Sequence, residues 1–402
     1  MTDRLYLRDA YLREFDARVV AARPEAGGTG AVLELDRTAF YPASGGQLHD
    51  TGLLDGLRVV EVAENTNGGV LHRVSGGAGV VALVGREIRG RIDWERRFDH
   101  MQQHTGQHIL SQAALRELGA ATAAVHLGAE RCTVDLDAPA FGAEEAARIE
   151  DAANAAVMAN YPVRIHFVDE AEIERWGLRR PPKKSGSIRV VEIEDFDRSA
   201  CGGTHVRATG EIGAIALTGW ERYKGGTRVE FLCGWRALRD HRAKSRTLAE
   251  IGRAFSAAPS ELIEAAARLA AREREAARRI EDLRERLLIL EAEGWRARLG
   301  LPAVVAEVVT GRDIDEVRGL AQALVRGGGV VALFGAADGR LVAARSPDLS
   351  LDAAALLRTV LEQFGGRGGG KPDLAQGAVP NGALTAALDA ARRLAEDALR
   401  RA

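Results

Sequence analysis

The chain has 402 residues, 46% of them hydrophobic and 28% charged, with a formal net charge of −2. That length predicts about two to four domains with ample core, and the composition is that of an ordinary soluble protein. Three cysteines give no disulfide framework and suit a reducing cytosol; the N-terminus has no apolar core of signal-peptide type, and no apolar run of about 18 residues exists to span a bilayer. A cytoplasmic protein with no membrane partner is expected.

Residues 1–90 read as short strands separated by glycine turns at Gly27-Gly28-Thr29-Gly30, Gly52, Gly56, Gly68-Gly69 and Gly76-Gly77. Evenly spaced strands of this kind predict a small β-barrel. From 91 to 240, helical stretches near 100–118 and 143–160 alternate with strand-like runs near 131–137, 163–168, 188–194 and 229–233. This mixture predicts an α+β domain with helices on one side of a mostly antiparallel sheet. Cys132 and Cys233 each lie in an alternating apolar run and read as small buried hydrophobes. The stretch from Trp220 to Arg228 reads as a hairpin.

Residues 241–300 change character, becoming rich in Arg, Glu, Ala and Leu. Leu269, Ala276, Leu283 and Leu290 recur every seven residues, interleaved with Ile280 and Leu287 and interrupted at Glu273. The pattern predicts a coiled-coil-like helical linker whose partner is either the helix at 241–256 or a second subunit. From 301 to 402, apolar runs at Gly329–Gly335 and Gly339–Ala344 alternate with amphipathic helices at 313–326, 350–364 and 382–400, which predicts an α/β globular domain. The glycine run 365–370 is not a nucleotide-triphosphate loop, because Lys371 is followed by Pro372 in place of Ser or Thr. The whole is therefore expected to be α+β, with barrel, mixed domain, helical linker and α/β domain in that order.

Two spaced pairs carry the chemistry: His104-Thr-Gly-Gln-His108 and Cys201-Gly-Gly-Thr-His205. A spacing of four puts His104 and His108 on one face of a helix. Gly202 and Gly203 place the second pair on a tight turn after a strand. One sulfur and three nitrogens form a donor set that zinc favours. A zinc finger would keep its ligands closer together, and a zinc-protease motif would need glutamate where Thr105 stands. His100 and His126 stand nearby as spare candidates.

The run from Ile92 through Asp93-Trp94-Glu95-Arg96-Arg97-Phe98-Asp99-His100 to Leu110 resembles the signature of the editing domain shared by alanyl-tRNA synthetases and the AlaX editing proteins. Ile188–Ile193, Cys201-Gly202-Gly203-Thr204-His205-Val206 and Thr209–Gly213 are similar to the other half of that domain's zinc site. Tyr41-Pro42-Ala43-Ser44-Gly45-Gly46-Gln47 resembles the glycine-rich motif that precedes it, and Gly365–Gln376 the glycine-rich signature of the synthetases' C-terminal domain. The resemblance implies His104, His108, Cys201 and His205 as zinc ligands. It implies an editing domain over 91–240 and a tRNA-binding or dimerisation domain over 301–402, with a homodimer as one outcome. With no room for an activation domain in 402 residues, the chain is expected not to adenylate an amino acid and to act in trans, as the long form of AlaX does.

The implied activity is deacylation of Ser-tRNA(Ala), with glycine as a second amino acid to be removed. Zinc held by four protein ligands has no open tetrahedral position for water. Two routes stand: displacement or expansion of the ligand set for Lewis-acid catalysis, or a zinc that positions the substrate while a free water attacks. Reading serine against alanine needs hydrogen bonds to the hydroxyl, because size alone cannot exclude the smaller side chain. Gln47, Thr105 and Thr204 are the polar residues in the motifs suited to that task, and Gly45 and Gly46 would let backbone approach the substrate. A net charge of −2 leaves phosphate contact to local patches: Arg175–Arg189, and the hairpin with Arg222, Lys224 and Arg228, each readable as an RNA grip or as a solvated face. A noncatalytic zinc-stabilised tRNA-binding protein and a hydrolase for another aminoacyl-tRNA are the alternatives.

Overall fold

The computed structural model describes residues 2–25, 30–76, 78–182, 185–380 and 382–401. Of the expected features, the turn residues 27–29 and 77 and the lysines 183 and 184 lie outside the described residues. The chain divides into two compact units, Met1–Glu250 and Ile251–Ala402. Among the described residues no helix is long and apolar enough to cross a membrane.

The first unit opens with β1 (Asp3–Arg4), followed by β2 (Glu14–Pro24), β3 (Gly30–Leu35), β4 (Arg37–Thr38), β5 (Gly52–Leu54), β6 (Leu57–Glu64), β7 (Val70–Ser75) and β8 (Glu87–Ile92). Six of these close a barrel in the order β2-β3-β7-β6-β5-β8, as the spaced strands predicted. Alternation fills it: Phe15, Ala17 and Val19 of β2, Leu33 and Leu35 of β3, and Ile88 and Ile92 of β8 all point into one core with Phe40, Leu54, Val59 and Val74. His72 is sealed in the same barrel, its Nε2 2.8 Å from Thr38 Oγ1 and its Nδ1 3.3 Å from Leu33 O.

Next come α1 (Trp94–Leu118), β9 (Thr122–Leu127), β10 (Cys132–Leu136), α2 (Ala143–Met158), β11 (Val163–Asp169), β12 (Ser187–Ile193), β13 (Asp197–Ala200), β14 (Ile215–Tyr223), β15 (Gly226–Cys233) and α3 (Gly234–Phe255). The strands form two antiparallel sheets, β14-β15-β10-β9 and β11-β12-β13. The expected single sheet is thereby corrected: α1 contacts strands of both, because its buried residues run unbroken from His100 to Ser111 and cover every face of the helix. Asp93 caps α1 by accepting from the Arg96 N–H at 3.3 Å, and Gly119 ends it with φ of 66°. Cys132 and Cys233 are fully buried in the core around α1, as their alternating runs suggested. At the tip of the β14–β15 hairpin, Lys224 and Gly225 take φ of 49° and 86°, the left-handed pair that matches strand twist.

The second unit holds α4 (Leu262–Arg296), β16 (Ala303–Val309), α5 (Ile314–Val325), β17 (Val330–Ala336), β18 (Arg340–Arg345), α6 (Ala353–Gln363), β19 (Arg367–Gly370), β20 (Leu374–Ala378) and α7 (Leu384–Arg401). Its sheet runs β16-β17-β18-β20-β19, with only β16 and β17 parallel. β17 is buried along its whole length because both faces are covered: Phe334 packs toward α5 and the end of α4, Leu333 toward α6 and α7. Along α4 the heptad residues Leu269, Ile280, Leu283, Leu287 and Leu290 are exposed. The glycine run lies on edge strand β19, where a Cβ on Gly368 or Gly370 would stand within 2.4 Å of β20 backbone.

Candidate metal centre

His104 and His108 stand one turn apart on α1, and the turn after β13 brings Cys201 and His205 to them. The four ligand atoms all lie within 4.8 Å of one another. Nε2 of His104 and of His205 are 3.4 and 3.3 Å from Cys201 Sγ. A tetrahedral ion with nitrogen bonds of about 2.0 Å and a sulfur bond of about 2.3 Å has ligand-to-ligand edges of roughly 3.3–3.6 Å, the range in which these two edges fall.

Each imidazole is held from behind. His104 Nδ1 is 2.7 Å from Gln47 Oε1, His205 Nδ1 is 3.1 Å from Thr105 Oγ1, and His108 Nδ1 is 3.3 Å from Asp197 Oδ2. Thr105 donates its own proton to Met101 O at 2.9 Å, which leaves its oxygen to accept from His205 and from the Val206 N–H. This network places the proton of every ring on Nδ1 and leaves Nε2 with a lone pair aimed at the common centre. Burial alone would raise the Cys201 thiol, but the charge that His104 and His205 carry when protonated outweighs it and holds the group well below the usual thiol range. Burial, then His104, lowers His205 to about 3, which keeps that ring neutral. The donor chemistry, the ring orientation and the thiolate all suit a divalent ion.

The flanking motifs explain themselves against this cluster. The Ser44–Gln47 turn is closed by backbone hydrogen bonds of 3.1 and 2.9 Å, with φ of 57° at Gly45 and 88° at Gly46. Gly46 O accepts from Leu127 N at 3.1 Å, and a Cβ on Gly46 would stand 3.2 Å from Val125 O, so its missing side chain admits β9. Gln47 then reaches under the Cys201 turn: its Oε1 also accepts from Thr204 N at 3.1 Å and its Nε2 donates to Thr204 Oγ1 at 2.8 Å. A Cβ on Gly203 would sit 2.1 Å from His104 Cε1, whereas Gly202 faces open space. Gly203 thus makes room for a ligand ring.

Gln47, Thr105 and Thr204, expected to read a substrate hydroxyl, are buried with their polar atoms engaged on the ligands and the turn that bears them. The hairpin residues form a separate group. Arg222 and Lys224 are exposed, while Arg228 is bound to Asp135 at 2.7 and 2.9 Å and lies 3.6 Å over the Tyr223 ring. In the basic segment before Cys201, Arg175 and Arg180 are exposed. Arg179 and Arg189 turn inward, Arg189 donating to Leu7 O at 2.9 Å and Cys201 O at 2.6 Å. Neither spare histidine joins the cluster: His126 is exposed on β9, and His100 is buried and lowered to about 4 by burial and Arg96. Sequence reasoning missed Asp197. Its signal was the polar alternation of Asp197 and Ser199 on a strand whose inward face would ordinarily be apolar.

Residues 188–230 match the model of the threonyl and alanyl tRNA synthetase second additional domain, and residues 301–400 match the DHHA1 domain. Alanine–tRNA ligases from Pyrococcus abyssi and Pyrococcus furiosus are 33% and 34% identical to the chain over 392 residues, covering 94% of it and 42% of each ligase. The ligase of Halobacterium salinarum is 36% identical over 401 residues, again 42% of its length. The chain therefore spans less than half the length of these relatives. The crystal structure of the C-Ala domain from Aquifex aeolicus alanyl-tRNA synthetase aligns at 24% identity and a TM-score of 0.22, covering 24% of this chain and 89% of that one, a likeness too low for a fold argument. Its two matched domains and its likeness to the ligases support the resemblance to AlaX-type proteins and to the editing and C-terminal domains of alanyl-tRNA synthetase.

Proposed function

We propose that the chain is a zinc-dependent aminoacyl-tRNA deacylase that removes serine, and glycine as a second substrate, from mischarged tRNA(Ala). The observation that carries the reading is the buried convergence of His104, His108, Cys201 and His205, with His205 and Cys201 inside the matched synthetase segment. When bound there, zinc supplies a fixed positive centre that orients the aminoacyl end of the substrate. Gln47 and Thr105 serve the reaction by holding His104 and His205 in register, and Thr204 by anchoring Gln47. Gly45 and Gly46 shape the turn that delivers Gln47, Gly46 by letting β9 backbone approach, and leave backbone free to meet the substrate.

Position and orientation of the ester then account for most of the acceleration, since no general base stands among the ligands. Rejection of alanine rests on polar groups that would be stranded without the serine hydroxyl, the one device able to discriminate strongly in this direction. Arg222 and Lys224, with Arg228 stacked on Tyr223, are proposed to meet the acceptor-end phosphates. The DHHA1 unit is proposed to hold the body of the tRNA and to pair two chains as a homodimer, with the cytoplasm as the place of action.

The test is parallel incubation of the purified chain with Ser-tRNA(Ala), Gly-tRNA(Ala), Ala-tRNA(Ala) and Thr-tRNA(Thr), with Cys201→Ala as control. Loss of serine with alanine spared, abolished in the variant, is the expected result. Binding of zinc and tRNA with no turnover on any ester would replace this reading with that of a binding protein.

A further inference from the structure

The outer support of the three imidazoles is uneven. His104 leans on an amide oxygen and His205 on a hydroxyl, both uncharged, whereas His108 leans on the carboxylate of Asp197. The Asp197 side chain is wholly enclosed, with 0% exposure. A carboxylate in such a place is costly unless a cation and hydrogen bonds compensate it. Both are present: Arg179 Nε donates to Asp197 Oδ1 at 3.0 Å, and Ser199 Oγ donates to Asp197 Oδ2 at 2.9 Å.

Arg179 is committed further. Its Nη2 donates to Ser199 Oγ at 3.1 Å and its backbone N–H to Arg198 O at 2.9 Å, so the stretch following the 3-10 helix Glu170–Trp176 is stitched along β13. An anionic acceptor at Nδ1 fixes the tautomer and raises the basicity of Nε2 more than a neutral one does. His108 is accordingly the one ring of the three with an anionic partner behind it.

We propose that Asp197 and Arg179 are positioning residues of the metal centre: the pair fixes the His108 ring and sets the affinity of the four-donor site for its divalent ion. The inference rests on the metal reading above. It also withdraws Arg179 from the basic grip expected of residues 175–189 and makes it part of the site's frame.

The experiment measures Zn2+ affinity of the full chain by competition with a chromogenic chelator, together with the visible bands of the Co2+ form. Wild type is compared with Asp197→Asn, Arg179→Gln, Arg179→Lys and the neighbouring Arg198→Gln, whose residue pairs with Glu192 at 2.7 Å on the surface. Metal affinity is expected to fall about 10–100-fold in Asp197→Asn and about 10-fold in Arg179→Gln. Arg179→Lys recovers part of the loss, and Arg198→Gln stays near wild type. Should Asp197→Asn not fold, the two Arg179 variants carry the test, because Arg179 sits at the rim with 11% side-chain exposure. Affinities and Co2+ bands unchanged in variants that lower only the melting temperature would overturn the proposal and leave these residues as props of the fold. Failure of the wild type to take up either metal would overturn the metal reading itself.

Discussion

Among the buried polar side chains of helix α1, Arg97 and the His104–His108 pair are satisfied in opposite ways. Arg97 is a closed account of charge. Its Nε lies 3.0 Å from both oxygens of Asp50, its Nη1 donates to Ala10 O at 2.7 Å, and its Nη2 donates to Ala39 O at 2.5 Å. Both members of this ion pair are 0% exposed, and Asp50 also accepts from Tyr41 N, so the pair fastens the loop that bears Gln47 to the helix. The histidines are satisfied only at Nδ1; at Nε2 they converge on a thiolate, donor atom against donor atom. One arrangement is complete within the protein and holds a loop in place. The other concentrates lone pairs on a point, which is stable with a cation among them.

The contrast breaks most sharply at Asp50. Asp50→Asn leaves a guanidinium buried without its charge partner, and the expected loss of stability is about 3–5 kcal/mol, read from urea unfolding of the metal-free chain. Metal uptake by the fraction that remains folded should persist. Cys201→Ala is the mirror image: it abolishes tight metal binding while changing metal-free stability by only about 1 kcal/mol. A Cys201 variant that unfolds as readily as the Asp50 variant would erase the distinction between the two groups.

His72 extends the comparison to a buried group that stays neutral. Burial lowers its pKa from 6.5 to about 4, so the unfolded chain takes up the proton first as pH falls. Its contribution is fully present above pH 6.5 and lost as pH falls from about 6.5 to about 4, a span of about 3 kcal/mol. The difference in stability between pH 7 and pH 4 should therefore shrink by about that amount in His72→Gln, compared with wild type.

A finer test is Gly203→Ala. The added Cβ would press on the His104 ring at 2.1 Å, so metal affinity should fall about 10–100-fold, equivalent to about 1.4–2.7 kcal/mol, in chelator competition. Gly202→Ala, which meets nothing within 4 Å, serves as its control and should bind metal as wild type does.

Much of this was legible in the sequence because it depends on short-range rules. A four-residue spacing placed His104 and His108 on one helical face, glycines marked the Cys201 turn, and period-two apolar runs marked β10, β12 and β15. The barrel was visible for the same reason, since each short strand announced itself locally. The two-sheet arrangement around α1 was not, because α1 is polar in sequence and buried on every side, and only its partners reveal why that is tolerated.

What the sequence determined by itself was the inventory: four donors of the right chemistry, the helix and turn that carry them, and a strand-rich first segment followed by mixed α and β. What only the tertiary structure decided was the wiring behind the donors. Gln47 meets Thr204 across 157 positions and Asp197 meets His108 across 89, and no local pattern encodes a hydrogen bond between residues so far apart. The physical reason is that local spacing fixes where a side chain points on its own element, whereas the partner that satisfies its other polar atom is set by how the barrel loop, α1 and β13 pack together.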